Sequence, residues 1–451
     1  MQVRFPGILA ILLMVALGSP LLAQPAKRAP QTIAAEIDAH IHKKLAKDKI
    51  PASPRAEDAE YLRRTFLLTI GRLPTPERVI SFFDAKDASK REKVVEELLA
   101  SPLFGEHLAS YWSTLITAEE PKYRKPLSDW LTQEFNKGTP WSQIVSEMIT
   151  HEGGGPKMGF VMSNIDNNQP QPNKLAGSSA RLFLGVQLQC AECHNHPFTR
   201  WKQSDFWGMA AFYSRVRFQQ AKGKEIPAGV IELAVAPKNK KDPVKPGAFI
   251  VIPSTAGKNA GKAINAKLLE GAEPTLPNEG AIRSNLAAWM TSPENKFFAR
   301  AFVNRMWAHY LGRGLVHPVD DMHDENPAVH PEVLDLLTAE FKASNFDVKH
   351  LVRCILSTEA YQRTSRPLSG NKDDVALTSR QNIQVMSAEV LYEALVQAYG
   401  VPQIKLSLSA STAGAATGRP VVTTAARDRF IKAFSTSDAD SSPTDYTHGI
   451  P

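Results

Sequence analysis

Apolar residues recur at helical spacing along this chain, and that periodicity restricts it to a mainly α-helical fold. The clearest stripe follows the helical period of about 3.6 residues and consists of Ile33, Ile37, Ile41 and Leu45. A hydroxyl residue followed by proline, which is typical of a helix start, occurs at Thr75-Pro76, Ser101-Pro102 and Thr139-Pro140. We therefore expect a helical bundle over much of the region between residues 31 and 150.

The sequence divides into four parts. These are a signal peptide at 1–23, a helical domain with a Cys-x-x-Cys-His turn at 30–220, a small β-containing insert or linker at 221–275, and a second helical domain at 276–451. The strand-like runs of the insert are residues 230–236 and 249–252. In the second domain we predict a helix that ends at Gly312 and helices that begin after His330 and Asp347.

The first residues have the pattern of a secretory signal peptide. Arg4 precedes a short apolar run at residues 8–17, and the small residue Ala23 marks the expected cleavage site. The run is too short to cross a bilayer, and no later stretch reaches the length of a transmembrane helix. A lipid anchor would need a cysteine at the cleavage site, whereas the first cysteine is Cys190. We therefore expect an exported protein, periplasmic or extracellular, with no transmembrane segment after cleavage.

The charge balance gives no support to nucleic-acid binding. The formal net charge of +7 comes from 53 basic and 46 acidic residues spread along the chain. The one local basic run, Lys238 to Lys245, lies between prolines and is typical of a solvated loop. Nucleic-acid binding would instead favour basic residues on one face with interleaved aromatic residues. We therefore expect no nucleic-acid partner.

The chemistry of the sequence is concentrated in the motif CAECH at residues 190–194. The segment before it has the spacing of a helix on which Leu182, Val186, Cys190 and Cys193 share one face. We therefore expect both cysteines to point toward the core.

Four interpretations of this motif are open. In c-type haem attachment, Cys190 and Cys193 bond the porphyrin and His194 is the axial ligand of the iron. In a zinc site, His196 joins these three residues as the fourth donor, although all four lie in one short stretch instead of two separate pairs. A redox dithiol and an unligated structural turn use the same residues. Export favours haem, because c-type attachment occurs outside the cytoplasm.

Further residues belong to the haem hypothesis. Candidates for the sixth ligand are Met209, His196, His309, His317, Met322 and His323. Aromatic residues that could line the ring, or equally form ordinary core, are Phe198, Trp201, Phe206, Trp207 and Phe212. The third cysteine, Cys354, is predicted to be a small buried apolar residue. Three cysteines cannot form a disulfide framework.

A second polar cluster spans residues 317–326 and contains Asp320 and Asp321. Its carboxylates could serve a hydrolytic metal site or acid–base catalysis. A loop that caps the ends of two helices uses the same residue types and is the favoured interpretation. The sequence has no independent motif for catalysis, and whether the protein is an enzyme stays open.

Two sets of residues resemble a known family of proteins. The first set is FLGVQLQC at 183–190, CHNHPF at 193–198, and Trp201, Gln203, Asp205 and Phe206. The second set is NKFFAR at 295–300, VNRMW at 303–307, GRGLV at 312–316, PVDD at 318–321, Asn326-Pro327 and HPE at 330–332. They resemble the two consecutive domains of planctomycete secreted proteins, of which the first is called cytochrome-like.

The resemblance implies an extracytoplasmic setting and a secreted partner protein encoded nearby. It also implies that the second domain continues beyond residue 451, so we expect that domain to be incomplete here. Together, motif and resemblance favour an exported protein that binds haem c through Cys190, Cys193 and His194 and has a role in electron transfer. The alternative is a structural or interaction protein whose Cys/His turn, with His196, holds zinc or no ligand. The redox partner stays unknown.

Overall fold

The computed structural model describes residues 27–118, 120–222, 228–234, 249–255, 257–271, 273–276, 280–399 and 424–434. The predicted signal peptide, the basic run and most of the stretch at 400–451 lie outside the described residues. Within the described residues, the fold is mainly α-helical, as the periodicity predicted. No described helix is long and apolar enough to cross a membrane.

Seventeen α-helices occur in the described part of the chain. They are α1 Pro30–Asp48, α2 Asp58–Ile70, α3 Pro76–Asp84, α4 Lys90–Ala100, α5 Pro102–Ile116, α6 Arg124–Lys137, α7 Trp141–Thr150, α8 Gly159–Met162, α9 Pro172–Ser179, α10 Gln203–Ala211, α11 Arg283–Met290, α12 Phe298–Leu311, α13 Pro331–Ala343, α14 Val348–Ser357, α15 Glu359–Gln362, α16 Ala388–Ala398 and α17 Thr424–Phe434.

Local sequence signals account for several helix ends. Thr75 and Ser101 cap α3 and α5 by accepting backbone N–H groups, and each is followed by proline at the first helical position. Gly312 ends α12 in the left-handed conformation, with φ +82°. The predicted start at Thr139 is wrong by one residue, because α7 begins at Trp141 and its cap residue is Pro140.

One continuous hydrophobic core joins the helices from both ends of the chain. The predicted stripe of α1 is buried, and this helix packs against α13 and α14 of the later segment. Trp112, Trp141 and Phe302 meet at the centre, with ring centroids 4.4 Å apart for Trp112 and Trp141 and 4.7 Å apart for Trp141 and Phe302. The first and second helical segments therefore share their core, and the domain boundaries at 220 and 275 stay a prediction.

Three short antiparallel strand pairs occur among the described residues. They are β1 Ile165–Asp166 with β2 Gln169–Pro170, β3 Val216–Gln219 with β4 Gly229–Glu232, and β5 Phe249–Val251 with β6 Ala263–Asn265. Strands β4, β5 and β6 lie in the predicted β-containing insert. β5 and β6 pack on α10, and Gly208 of that helix permits the contact because a Cβ there would lie 2.7 Å from Lys267 Cβ.

His107, a partly exposed residue of α5, should make stability pH-dependent. The Nε2 atom of its ring is sealed from solvent. Burial, followed by the nearby His309 and Arg72, lowers the pKa of His107 from 6.5 to about 3. The folded protein therefore keeps this ring neutral at pH values where the unfolded chain binds a proton.

We expect His107 to lower the free energy of unfolding by about 1–2 kcal/mol between pH 7 and pH 5. The loss begins near pH 6.5, where the unfolded chain takes up the proton, and continues down to the lowered pKa of the folded state. Urea denaturation at both pH values, compared with His107→Gln, measures it. A variant with the same pH dependence as the original chain would contradict this expectation.

Candidate functional site

The Cys/His turn, residues 189–196, projects from the surface instead of facing the core. Cys190 and Cys193 are exposed free thiols, and His194 is exposed as well. The prediction that the cysteines point inward on a continuous helix is wrong, because α9 ends at Ser179 and is followed by a single wide turn over Ala180–Leu184. A tight turn at Gln189–Glu192 then carries the first cysteine outward.

Gly185 produces the change of direction. Its φ of +67° lies in the left-handed region, and the neighbouring amide of Val186 bonds back to the Ala180 carbonyl oxygen at 3.1 Å. A Cβ at this position would lie 3.1 Å from both Ala301 Cβ and Met322 Sδ. The glycine therefore meets a conformational and a packing requirement at once, and the chain leaves the helical path at this point.

Side chains of α10 donate hydrogen bonds to the backbone of the Cys/His turn. Trp207 Nε1 donates to the carbonyl oxygen of Glu192 at 2.9 Å. Gln203 Nε2 donates to the carbonyl oxygens of Glu192 and Cys193 at 2.9 and 3.1 Å. Asn259, from the insert, donates in turn to Gln203 Oε1 at 2.6 Å. The turn is thus held in place by protein hydrogen bonds while its thiols stay open to solvent.

The hydrogen bonds of His194 and His196 fix different positions for the ring proton of each neutral imidazole. His194 Nδ1 lies 2.7 Å from the carbonyl oxygen of Asn195, and since a carbonyl only accepts, Nδ1 carries the proton of the neutral ring and Nε2 the lone pair. His196 Nδ1 instead accepts the backbone N–H groups of Phe198 and Thr199 at 3.2 and 3.1 Å. The neutral His196 ring therefore has its proton on Nε2. Of these two rings, only that of His194 has its Nε2 lone pair available to a ligand.

The second polar cluster of the sequence, residues 317–326, packs beside the Cys/His turn. We call it the acidic loop. The Met322 backbone N–H donates to the Gly185 carbonyl oxygen at 2.9 Å, and Arg200 Nη1 donates to Asp324 Oδ2 at 3.3 Å. The two clusters that the sequence separates by more than a hundred residues therefore form one region.

Charged groups of the acidic loop act on the turn. His323 Nε2 lies 3.6 Å from Asp321 Oδ2. Burial lowers the pKa of His196, Asp321 opposes that change, and His323 and His194 add to it. Protonation of His196 is therefore disfavoured, which agrees with its Nδ1 acting as a hydrogen-bond acceptor.

The two aspartates of the acidic loop differ in access. Asp320 is fully buried, and its Oδ1 accepts from Gln187 Nε2 at 3.1 Å. Asp321 is partly exposed. A substrate cannot reach the Asp320 carboxylate in this arrangement, which argues against a hydrolytic pair formed by the two side chains.

Four of the candidate sixth ligands lie in this region, namely His196 and, in the acidic loop, His317, Met322 and His323. His309 is elsewhere, with its Nε2 at 2.8 Å from the Leu68 carbonyl oxygen. Met209 is fully buried in α10, and His317 is exposed at the start of the acidic loop.

The aromatic residues that were candidates to line a haem ring fall into an exposed one and a buried group. Phe198 is 79% exposed at the tip of the loop that follows the turn. Trp201, Phe206, Trp207 and Phe212 are buried and belong to the core. Only Phe198 could contact a group outside the turn without a change in the core.

The donor set fits surface attachment of a planar group better than a closed metal site. Both thiols are accessible and His194 Nε2 has its lone pair available, as thioether bonds and one axial ligand require. For zinc, His196 would have to give up both hydrogen bonds to its Nδ1. Among the described residues, no group of three or more His, Cys, Asp or Glu side chains is arranged to hold a metal ion.

The third cysteine behaves as predicted. Cys354 is buried in α14, and its Sγ lies 3.8 Å from His350 Nε2. Burial raises the pKa of its thiol to about 12. It is therefore an unreactive core residue and a useful control for the two exposed thiols.

Fold and site together define a mainly α-helical protein with an exposed Cys/His turn braced by a loop from a later segment. Residues 36–218 match the family model PSCyt2, a protein of unknown function (DUF1549), and residues 282–441 match PSD1, a protein of unknown function (DUF1553). The chain belongs to the family that carries these two domains in this order, which confirms the resemblance. No curated protein and no solved structure is significantly similar to it.

The site contains residues that the sequence did not single out for this role. Gly185, Gln187, Gln203 and Trp207 fix the turn through hydrogen bonds and a left-handed backbone. The glycine was the one available signal, since an isolated glycine in a helical pattern is a possible end of the helix.

Proposed function

We propose that Cys190 and Cys193 bind haem c covalently and that His194 Nε2 is an axial ligand of its iron. The observation that carries the proposal is the exposure of both thiols on one short turn, next to a histidine whose Nδ1 is fixed by the Asn195 carbonyl oxygen. Each thiol would add to one vinyl group of the porphyrin. When bound, haem would supply a reversible one-electron change at its iron, which is the basis of an electron-transfer role.

Two features of the chain favour this setting. The predicted signal peptide directs the chain to the compartment where c-type attachment takes place. The braced turn keeps its thiols and the His194 ring outward, with Phe198 exposed close by in the chain. The redox partner and any secreted partner would then approach the surface around this turn.

The competing function is a structural or interaction role in which Cys190, Cys193, His194 and His196 hold zinc or no ligand. The hydrogen bonds from Gln203 and Trp207 favour it, because they hold the turn without any bound group. The two functions predict different contents of the same purified protein.

The test is to produce the full chain in a host with an active haem-attachment system in its periplasm. A haem stain of the denatured protein should be positive for the original chain and for Cys354→Ala, and negative for Cys190→Ala combined with Cys193→Ala. Cys354→Ala is the matched control because it removes a thiol that the turn does not contain. A colourless original chain with one zinc per molecule would overturn the haem proposal in favour of the alternative.

A further inference from the structure

The acidic loop contacts the segment that leads into the Cys/His turn through buried groups. Met322 N–H bonds to the carbonyl oxygen of Gly185, and Asp320 Oδ1 accepts from Gln187 Nε2 at 3.1 Å. Gln187 lies three residues before Cys190. The surface pair of Arg200 with this loop is exposed and adds little. The buried contacts therefore fix the chain just before it turns outward.

A buried position that serves packing alone is usually apolar, whereas Asp320 carries a carboxylate. Its side chain is fully buried, and its Oδ2 atom has no hydrogen-bond partner among the described residues. Arg305 is also buried, and its side chain hydrogen-bonds to that of Tyr111. Both charges act on the hydroxyl of Tyr111, so all three groups lie in one buried polar region. In such a place, the charge of the carboxylate strengthens the hydrogen bond that it accepts from Gln187.

We infer that Asp320 is a positioning residue for the Cys/His turn. Its carboxylate holds the Gln187 amide and so fixes the direction in which the chain leaves Gly185. The later family segment thereby contributes to a site whose donors all belong to the earlier one. This inference rests on the proposed function only for the identity of the group that the turn holds.

Hydrogen exchange of the haem-free full chain tests the inference, with Asp320→Asn as the variant. The amides of residues 186–191 should lose protection on the order of tenfold relative to the rest of the chain, because the hydrogen bond to a charged acceptor is weakened. Glu340→Gln is the matched control. Glu340 is also buried and accepts from His350 Nε2 at 2.8 Å, far from the turn in sequence.

A rescue experiment distinguishes a positioning role of Asp320 from a general loss of stability in its variant. In the double variant Gln187→Glu with Asp320→Asn, the carboxylate and the amide exchange places, and protection should return to within about threefold of the original chain. If Asp320→Asn does not fold, Gln187→Met removes the same hydrogen bond from a half-buried position and should give the same local loss.

Equal protection of residues 186–191 in Asp320→Asn and Glu340→Gln would overturn the inference, as would a double variant no better than Asp320→Asn. Because the exchange is measured without haem, a failure of the haem proposal leaves these outcomes unchanged.

Discussion

Glu232→Ala is expected to lower the free energy of unfolding by about 3–5 kcal/mol, because it removes the close buried counter-ion of a buried guanidinium and leaves the exposed carboxylate of Glu152, 4.0 Å away, in its place. Arg283 is fully buried, and its Nε donates to Glu232 Oε2 at 2.7 Å. Its Nη1 donates to the carbonyl oxygens of Ile149 and His151 at 2.8 and 3.1 Å. The pair therefore joins β4, α11 and the end of α7, and its loss affects all three.

Urea denaturation at pH 7 measures this loss, and two further variants show its origin. Glu97→Ala removes an exposed partner of Arg78 and should cost less than about 1 kcal/mol. Glu232→Met combined with Arg283→Met should cost less than Glu232→Ala, because no charge is then left buried. The explanation is wrong if Glu232→Ala is as mild as the surface variant.

Gly185→Ala is expected to cost about 2–4 kcal/mol, because an alanine there is strained in its backbone and crowded by its neighbours. The φ of Gly185 is +67°, and the added Cβ would meet Ala301 and Met322 at 3.1 Å. The chain can relieve the strain only by moving the start of the Cys/His turn or the acidic loop.

Gly138→Ala is the matched control for this prediction. Gly138 ends α6 with φ +77°, and a Cβ there would meet no atom within 4 Å. Its replacement should therefore cost only the conformational part, about 1–2 kcal/mol. Denaturation midpoints of both variants give the comparison, and equal losses would show that the contacts of Gly185 with its neighbours are unimportant.

The helical fold was predictable because its signals are local. The stripe of α1, the proline-initiated helices and the glycine at the end of α12 depend on residues within a few positions of each other. The strand-like runs in the insert were predictable for the same reason, although β6 was not anticipated.

The direction of the cysteines was not predictable from periodicity. Leu182 and Val186 are buried as expected, but the helical path ends at Gly185, before both Val186 and Cys190. A spacing rule holds only while the helix continues, and Gly185 ends it. The residue type was visible in the sequence, whereas its left-handed φ and the close approach of Ala301 and Met322 to its Cα were not.

The packing of the acidic loop beside the Cys/His turn also could not be predicted from the sequence. The hydrogen bond between Gln187 and Asp320 joins residues 133 positions apart. No local pattern encodes such a contact, since it depends on how α12 and the chain after it pack against the earlier helices. Residues 317–326 form a loop between two helices, as predicted, but the predicted capping is wrong, since α12 ends at Gly312 and no side-chain hydrogen bond caps the start of α13. The position of the loop beside the Cys/His turn is the added finding.

Covalent haem on the Cys/His turn is the central claim, and the pyridine haemochrome spectrum of the purified, matured chain tests it most directly. This spectrum reports how many vinyl groups of the porphyrin have been converted to thioethers. We predict the spectrum of a haem with both vinyl groups converted, present at one haem per chain, since Cys190 and Cys193 are both exposed. A spectrum without haem, or one of haem with both vinyl groups intact, would contradict the account.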